Sequence, residues 1–137
     1  MAAVVIDASL ASAWCFPDEQ TAYTRAVFQA VSSSAVDTVA PQLWAYEIRN
    51  SILMALRRGR VSKPDSAQFL ASLNELNVRL CQPESYDAVF SLAQEHGLTV
   101  YDAAYLDLAI QERLMLASLD SQLVRAAQKA GIQLFQP

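Results

Sequence analysis

The sequence predicts an α/β fold of three layers, α/β/α, in which helices cover both faces of a mostly parallel, roughly five-stranded central sheet. Two observations carry that expectation. Five short apolar runs, AVVI from residue 3, TVA from residue 38, VRLC from residue 78, MLASL from residue 115 and IQLF from residue 132, are each bounded by polar or turn residues. Longer segments with helical periodicity separate them, and such alternation places a mostly parallel sheet between layers of helix. Length agrees: 137 residues at 53% hydrophobic composition form one domain, 1–137, able to bury a sizeable core without disulfides or metal staples.

The helical segments run over roughly 18–31, 42–58, 63–76, 84–96, 102–113 and 121–130. Their ends carry recognisable chemistry. Pro41 and Pro83 suit first-turn positions, where a missing N–H costs nothing, and Ser62 with Asp65 resembles a capping box with Asp in place of Glu. Gly59, Gly97 and Gly131 fit chain reversals after helices, His96 falls at a helix C-terminus, and SSSAVD near Ser32 reads as a short loop. These three glycines are the whole supply, so neither a dinucleotide fingerprint nor a P-loop can be built.

Three aspartates stand where a strand-like run gives way to a helix: Asp7 in VVIDAS, Asp102 in LTVYDAAY and Asp120 in MLASLDSQL. Each would lie at the carboxyl edge of a parallel sheet, where ligands of such folds bind. Carboxylates gathered there repel one another unless protons or cations compensate, and a hard cation such as Mg²⁺ or Mn²⁺ suits oxygen ligands. Taken singly, each aspartate is as well read as a helix N-cap. Capping does not account for Glu47, inside the helical segment PQLWAYEIRNSILMAL, with Asn50 three residues on and on the same face. Trp44, Ile48, Ile52, Ala55 and Leu56 mark the neighbouring apolar stripe. Glu47 and Asn50 could edge a solvated face, but together with the aspartates they favour a carboxylate nest for divalent metal. Asp107, five residues after Asp102, is well around the helix from it and is assigned to a solvated face.

A net charge of −4 argues against a protein that coats nucleic acid non-specifically, yet metal in an acidic nest inverts the local field and can contact a phosphate. The basic cluster Arg57, Arg58, Arg60 and Lys63 suits a helix C-terminus and can serve a second role. Cys15 and Cys81 lack metal-ligand spacing and read as buried thiols. One histidine cannot supply a paired-histidine mechanism, and a covalent serine or cysteine mechanism lacks its usual basic partner. Without a signal-like amino terminus or a membrane-length apolar run, the expected location is cytoplasmic, with no membrane contact.

The set VVIDAS, EIRN on a helix, YDAAYLDLA and SLDSQLVRAA resembles the PIN-domain ribonucleases, most closely the VapC-type toxins of bacterial toxin–antitoxin modules. Order, spacing and flanks agree nearly end to end. The resemblance implies a PIN-like fold and a metal-dependent endoribonuclease acting as a toxin, with Asp7, Glu47, Asp102 and Asp120 as a catalytic tetrad chelating Mg²⁺ or Mn²⁺. It places Ser9, Asn50 and Ser118 as supporting polar positions. It implies an RNA substrate, tRNA or another structured RNA among the candidates, a homodimer, and a cognate antitoxin whose tail lies over the active-site groove. Helices between residues 42 and 76 would supply dimer and antitoxin surfaces. Aspartate-nucleophile phosphatases want a second Asp where Ser9 stands, and receiver domains want an acidic pair and a late lysine. The remaining alternative is a catalytically silent PIN-like domain that binds a protein partner or RNA without cutting.

Overall fold

Val4, Val5 and Ile6 are all fully buried, although successive strand residues point to opposite faces, so the sheet is covered on both sides. This is the expected layering, in a computed structural model that describes residues 2–137. Strands β1 (Ala3–Ile6), β2 (Asp37–Pro41), β3 (Val78–Cys81) and β4 (Met115–Ala117) pair in parallel, in the order β3-β2-β1-β4. Central β1 sets Val5 opposite Val39 on one side and Leu116 on the other. Among the described residues four strands form, not five. IQLF contributes only an isolated parallel bridge between Leu116 and Leu134, made by Leu116 N–H to the Gln133 carbonyl and Phe135 N–H to the Leu116 carbonyl; one step earlier the Leu114 N–H is spent on the Ala109 carbonyl at the end of the preceding helix.

Around the sheet run α1 (Ala8–Ala13), α2 (Ala22–Ser32), α3 (Leu43–Arg57), α4 (Lys63–Glu75), α5 (Tyr86–His96), α6 (Val100–Glu112) and α7 (Ser121–Lys129). The six expected helices are present. The helix expected after Asp7, α1, is only 6 residues long and is capped by Asp7. The segment expected to start at 18 opens instead as a 3₁₀ turn, Pro17–Glu19, and α2 begins after a capping box of Thr21 and Thr24. Helix α6 packs against β1, β2 and β4 and between α5 and α7, burying Ala103, Tyr105, Leu106 and Ala109 almost completely. On α3, Trp44, Ile48, Ile52 and Ala55 form the expected buried stripe.

Several local expectations need correction. Pro41 ends β2 rather than opening α3, and Pro83 precedes α5, whose cap is Ser85 accepting from the Ala88 N–H. No strand leads into Asp102: Thr99 caps α6, and Val100 and Tyr101, its first residues, are too exposed for a buried strand. The two cysteines are free but only half-buried. Ser62 does cap α4 through the Asp65 N–H, and Gly97, in the left-handed region, closes α5 just after His96. Among the described residues, no helix is long and apolar enough to cross a membrane.

Candidate active site

Asp7 follows β1 directly and is 3% exposed. One carboxylate oxygen accepts from the Leu10 N–H at 3.0 Å, so Asp7 is the N-cap of α1. The Ser9 hydroxyl lies 2.8 and 2.9 Å from the two oxygens, and the Ser118 hydroxyl donates to Oδ2 at 2.5 Å. Both serines also tie down the loop after β4: Leu119 N–H donates to Ser9 Oγ and Asp120 N–H to Ser118 Oγ. Burial pushes the Asp7 pKa up to about 6; the donors from Ser118, Leu10 and Ser9 restrain the rise and the charge of Asp102 adds to it. A carboxyl wrapped in donors yet still raised is held in place at a desolvation cost.

The other acids come from three further elements. Asp120 caps α7 by accepting from the Leu123 N–H at 3.0 Å. Asp102 lies in the first turn of α6, and its carboxyl is raised by burial and then by the charge of Asp120, against the Thr99 hydrogen bond. Glu47, mid-helix in α3, accepts a 2.6 Å hydrogen bond from the Tyr105 hydroxyl. Burial raises Glu47 too, the Tyr105 bond lowers it, and Asp102 raises it again. Asp102 is thus the charge that Asp7 and Glu47 both feel.

All four acids line one cavity of about 560 Å³, together with Ser9, Asn50 and Tyr105. Ser118 stands behind this wall and acts through Asp7. Capping and convergence are therefore not alternatives: Asp7 and Asp120 do both, and Asp102 is no cap. Asp107 departs from expectation, because it is buried at 3% exposure rather than solvated. It lies in a separate cavity of about 120 Å³ beside Glu84 and Gln111, away from the tetrad. Sequence reasoning missed Tyr105, although its place three residues after Asp102 puts both on one helix face.

The donor set fits a hard divalent cation. It is all oxygen, three of its carboxyls are raised by burial and by one another's charge, and among the described residues no Lys or Arg pairs with any of the four. Among the described residues, no three acidic, His or Cys side chains stand close enough to cage an ion by themselves.

A parallel-sheet α/β domain with acids from four elements around one cavity defines the class of this protein. The PIN domain family matches residues 4–129, and the chain belongs to that family. It is 37% identical over 125 residues to Ribonuclease VapC3 of Pyrobaculum aerophilum, an overlap of 88% of this chain and 91% of that protein. Among solved structures it resembles Pyrobaculum aerophilum PAE2754, with TM-score 0.72 and 25% identity over 91% of this chain and 79% of that one. It also shares its fold with FitAcB from Neisseria gonorrhoeae, with TM-score 0.67 and 17% identity over 98% and 97% of the two chains. Mycobacterium tuberculosis VapC20, described as a sarcin–ricin-loop-cleaving toxin, has the same fold, with TM-score 0.62 and 13% identity over 98% and 99%.

Proposed function

We propose that the protein is a metal-dependent endoribonuclease, a single PIN-like nuclease domain that acts in the cytoplasm as the toxin of a toxin–antitoxin pair. The observation that carries this reading is the single cavity lined by Asp7, Glu47, Asp102 and Asp120, with Asp7 raised and unneutralised. Kinship with Ribonuclease VapC3 over most of both chains supports RNA as the substrate class; structured RNA such as tRNA is the part of that class we propose.

The four acids would hold Mg²⁺ or Mn²⁺, which when bound supplies an activated water and offsets charge on the phosphodiester and its leaving oxygen. The chain's own residues do the positioning. Ser9 and Ser118 fix both oxygens of Asp7, Tyr105 fixes Glu47, and Asn50 offers a polar group on the same wall. These acids repel phosphate, and a bound cation would offset that charge.

A cognate antitoxin is part of the proposal. A groove of about 850 Å³, with Trp14, Phe28, Phe69 and Leu73 in its lining beside charged Asp18, Arg25 and Asp65, adjoins the acidic cavity and shares Phe16 and Arg60 with it. A partner seated there would reach the acids without displacing the fold. Homodimerisation has two exposed apolar pairs to draw on, Tyr46 with Leu53 on α3 and Tyr86 with Phe90 on α5. Free, half-buried Cys15 and Cys81 suit a reducing compartment.

The test is cleavage of total cellular RNA by purified, partner-free protein in Mg²⁺ or Mn²⁺ against EDTA, with Asp7→Asn as control. Discrete metal-dependent fragments absent from the variant are expected. RNA binding without cleavage under any metal condition would replace this reading with that of a silent binding domain.

A further inference from the structure

The acidic cavity extends beyond the tetrad along α3. Glu47, Asn50, Ser51, Met54 and Arg58 all line it, a spacing of three, four and seven residues that keeps one helical stripe facing the cavity. Eleven residues separate Glu47 from Arg58, roughly 16 Å along the axis at 1.5 Å per residue. A phosphate at Arg58 is therefore a different phosphate from the one at the acids.

The cavity wall contains two cations, Arg58 and Arg60. Arg60 is already engaged: its guanidinium lies 3.1 Å from Asp18 and 2.9 Å from Glu19, and it stacks over the Phe16 ring at 4.3 Å. Arg58 is exposed, and among the described residues no carboxylate lies within salt-bridge distance of it. Its position at the C-terminus of α3 favours a cation, but that advantage belongs equally to Arg57, which does not line the cavity. Helix-end electrostatics thus explains why two arginines are here and not why one faces the acids.

We propose that Arg58 is a substrate-positioning residue that binds an RNA backbone phosphate neighbouring the scissile one, setting the path of the strand along α3 towards the acids. The assignment rests on the nuclease reading. Arginine suits the task because its planar fork meets two phosphate oxygens at once.

The experiment compares Arg58→Gln with Arg57→Gln, each in full-length protein carrying Asp7→Asn so that RNA stays intact. Binding of a labelled single-stranded RNA of mixed sequence is followed by fluorescence anisotropy across a salt series. Arg58→Gln is expected to weaken binding about tenfold and to lower the salt slope by about 0.7, the value of one single-strand phosphate contact. Arg57→Gln should stay within about twofold of its parent with an unchanged slope, since long-range charge alone is screened. Equal losses in both variants, or none in either, would overturn the assignment. Metal-dependent cleavage by the protein with Asp7 intact is measured alongside. If it cuts and Arg58→Gln still binds normally, only the role of Arg58 falls; if the protein neither binds nor cuts RNA, both readings fall.

Discussion

Asp7 and Asp107 are equally buried, each at 3% exposure, and burial is the leading cause of the raised pKa of both. Their surroundings differ. Asp7 receives three donors and faces an open cavity shared with three acids from other elements, whereas Asp107 has Gln111 for support, Glu84 as a like-charged neighbour and a cavity about a fifth the size. A buried carboxylate is expensive in either place. What marks one of them as the candidate site is convergence, because several acids in one cavity would multiply the gain from a single cation.

The widest gap between the two should appear in cleavage. Asp7→Asn is expected to reduce metal-dependent RNA cleavage by at least ~100-fold, the upper range for loss of even an indirect metal support. Asp107→Asn should stay within about twofold, measured as initial rates on the same RNA. Comparable losses in both variants would mean that burial, not convergence, marks the functional acid.

Stability should move the other way. Asp7 keeps its proton more tightly in the folded chain, about 6 against an ordinary 3.8, so its contribution is fully present below 3.8 and is lost as pH rises through about 6. The shift corresponds to about 3 kcal/mol at most, at 1.36 kcal/mol per pH unit. Metal-free Asp7→Asn escapes this loss, and Asn caps a helix as well as Asp. Denaturant unfolding at pH 7.5 should find the variant more stable by about 1–3 kcal/mol, with a flatter dependence between pH 4 and 7. Glu47 and Asp102, also raised, supply the slope that remains. A variant less stable than its parent at pH 7.5 would show that the carboxylate itself holds the fold.

Metal should reverse the ranking. Mn²⁺ at about a hundred times its dissociation constant stabilises a binding-competent fold by about 2.7 kcal/mol. A thermal shift in the parent is expected, reduced to near zero in Asp7→Asn and retained in Asp107→Asn; an equal shift in all three would place the ion elsewhere.

Sequence made the acids legible because each sits at a chain feature with its own signature: the end of an apolar run, or an acid within an apolar helix. Asp102 was singled out for a partly mistaken reason, since LTVY opens a helix rather than ending a strand. Its place in the first turn of α6 still brought it to the cavity. Asp107 was misplaced because periodicity describes one helix alone, while α6 is packed by the sheet, α5 and α7 and buries several sides at once. The fifth strand shrank to one bridge where the Leu114 N–H, which would extend the pairing, closes the end of α6 on Ala109 instead, which no residue pattern reveals. Tyr105 was passed over because a tyrosine in an apolar helix reads as core, and core is most of what it is.

That double nature of Tyr105 gives the finest test of the comparison. The ring is 1% exposed, yet its hydroxyl reaches from α6 to Glu47 on α3, joining two of the elements that supply acids. Asp107 has no such tie to a second acid-bearing helix among the described hydrogen bonds. Tyr105→Phe keeps the ring and its packing and removes the hydroxyl, with its bond that restrains Glu47 and its contact with the Ala8 backbone. Because Glu47 is then a freer and more costly anion, Mn²⁺ affinity measured by calorimetry should fall by about tenfold, the lower range for loss of a ligand-orienting partner. The fold should lose only about 1 kcal/mol, the usual worth of one hydrogen bond. Affinity that holds while stability collapses would make Tyr105 a core residue whose hydroxyl merely happens to face an acid. Affinity that falls in a stable protein would show that the site is built two layers deep, with the helix that carries Asp102 also aiming Glu47.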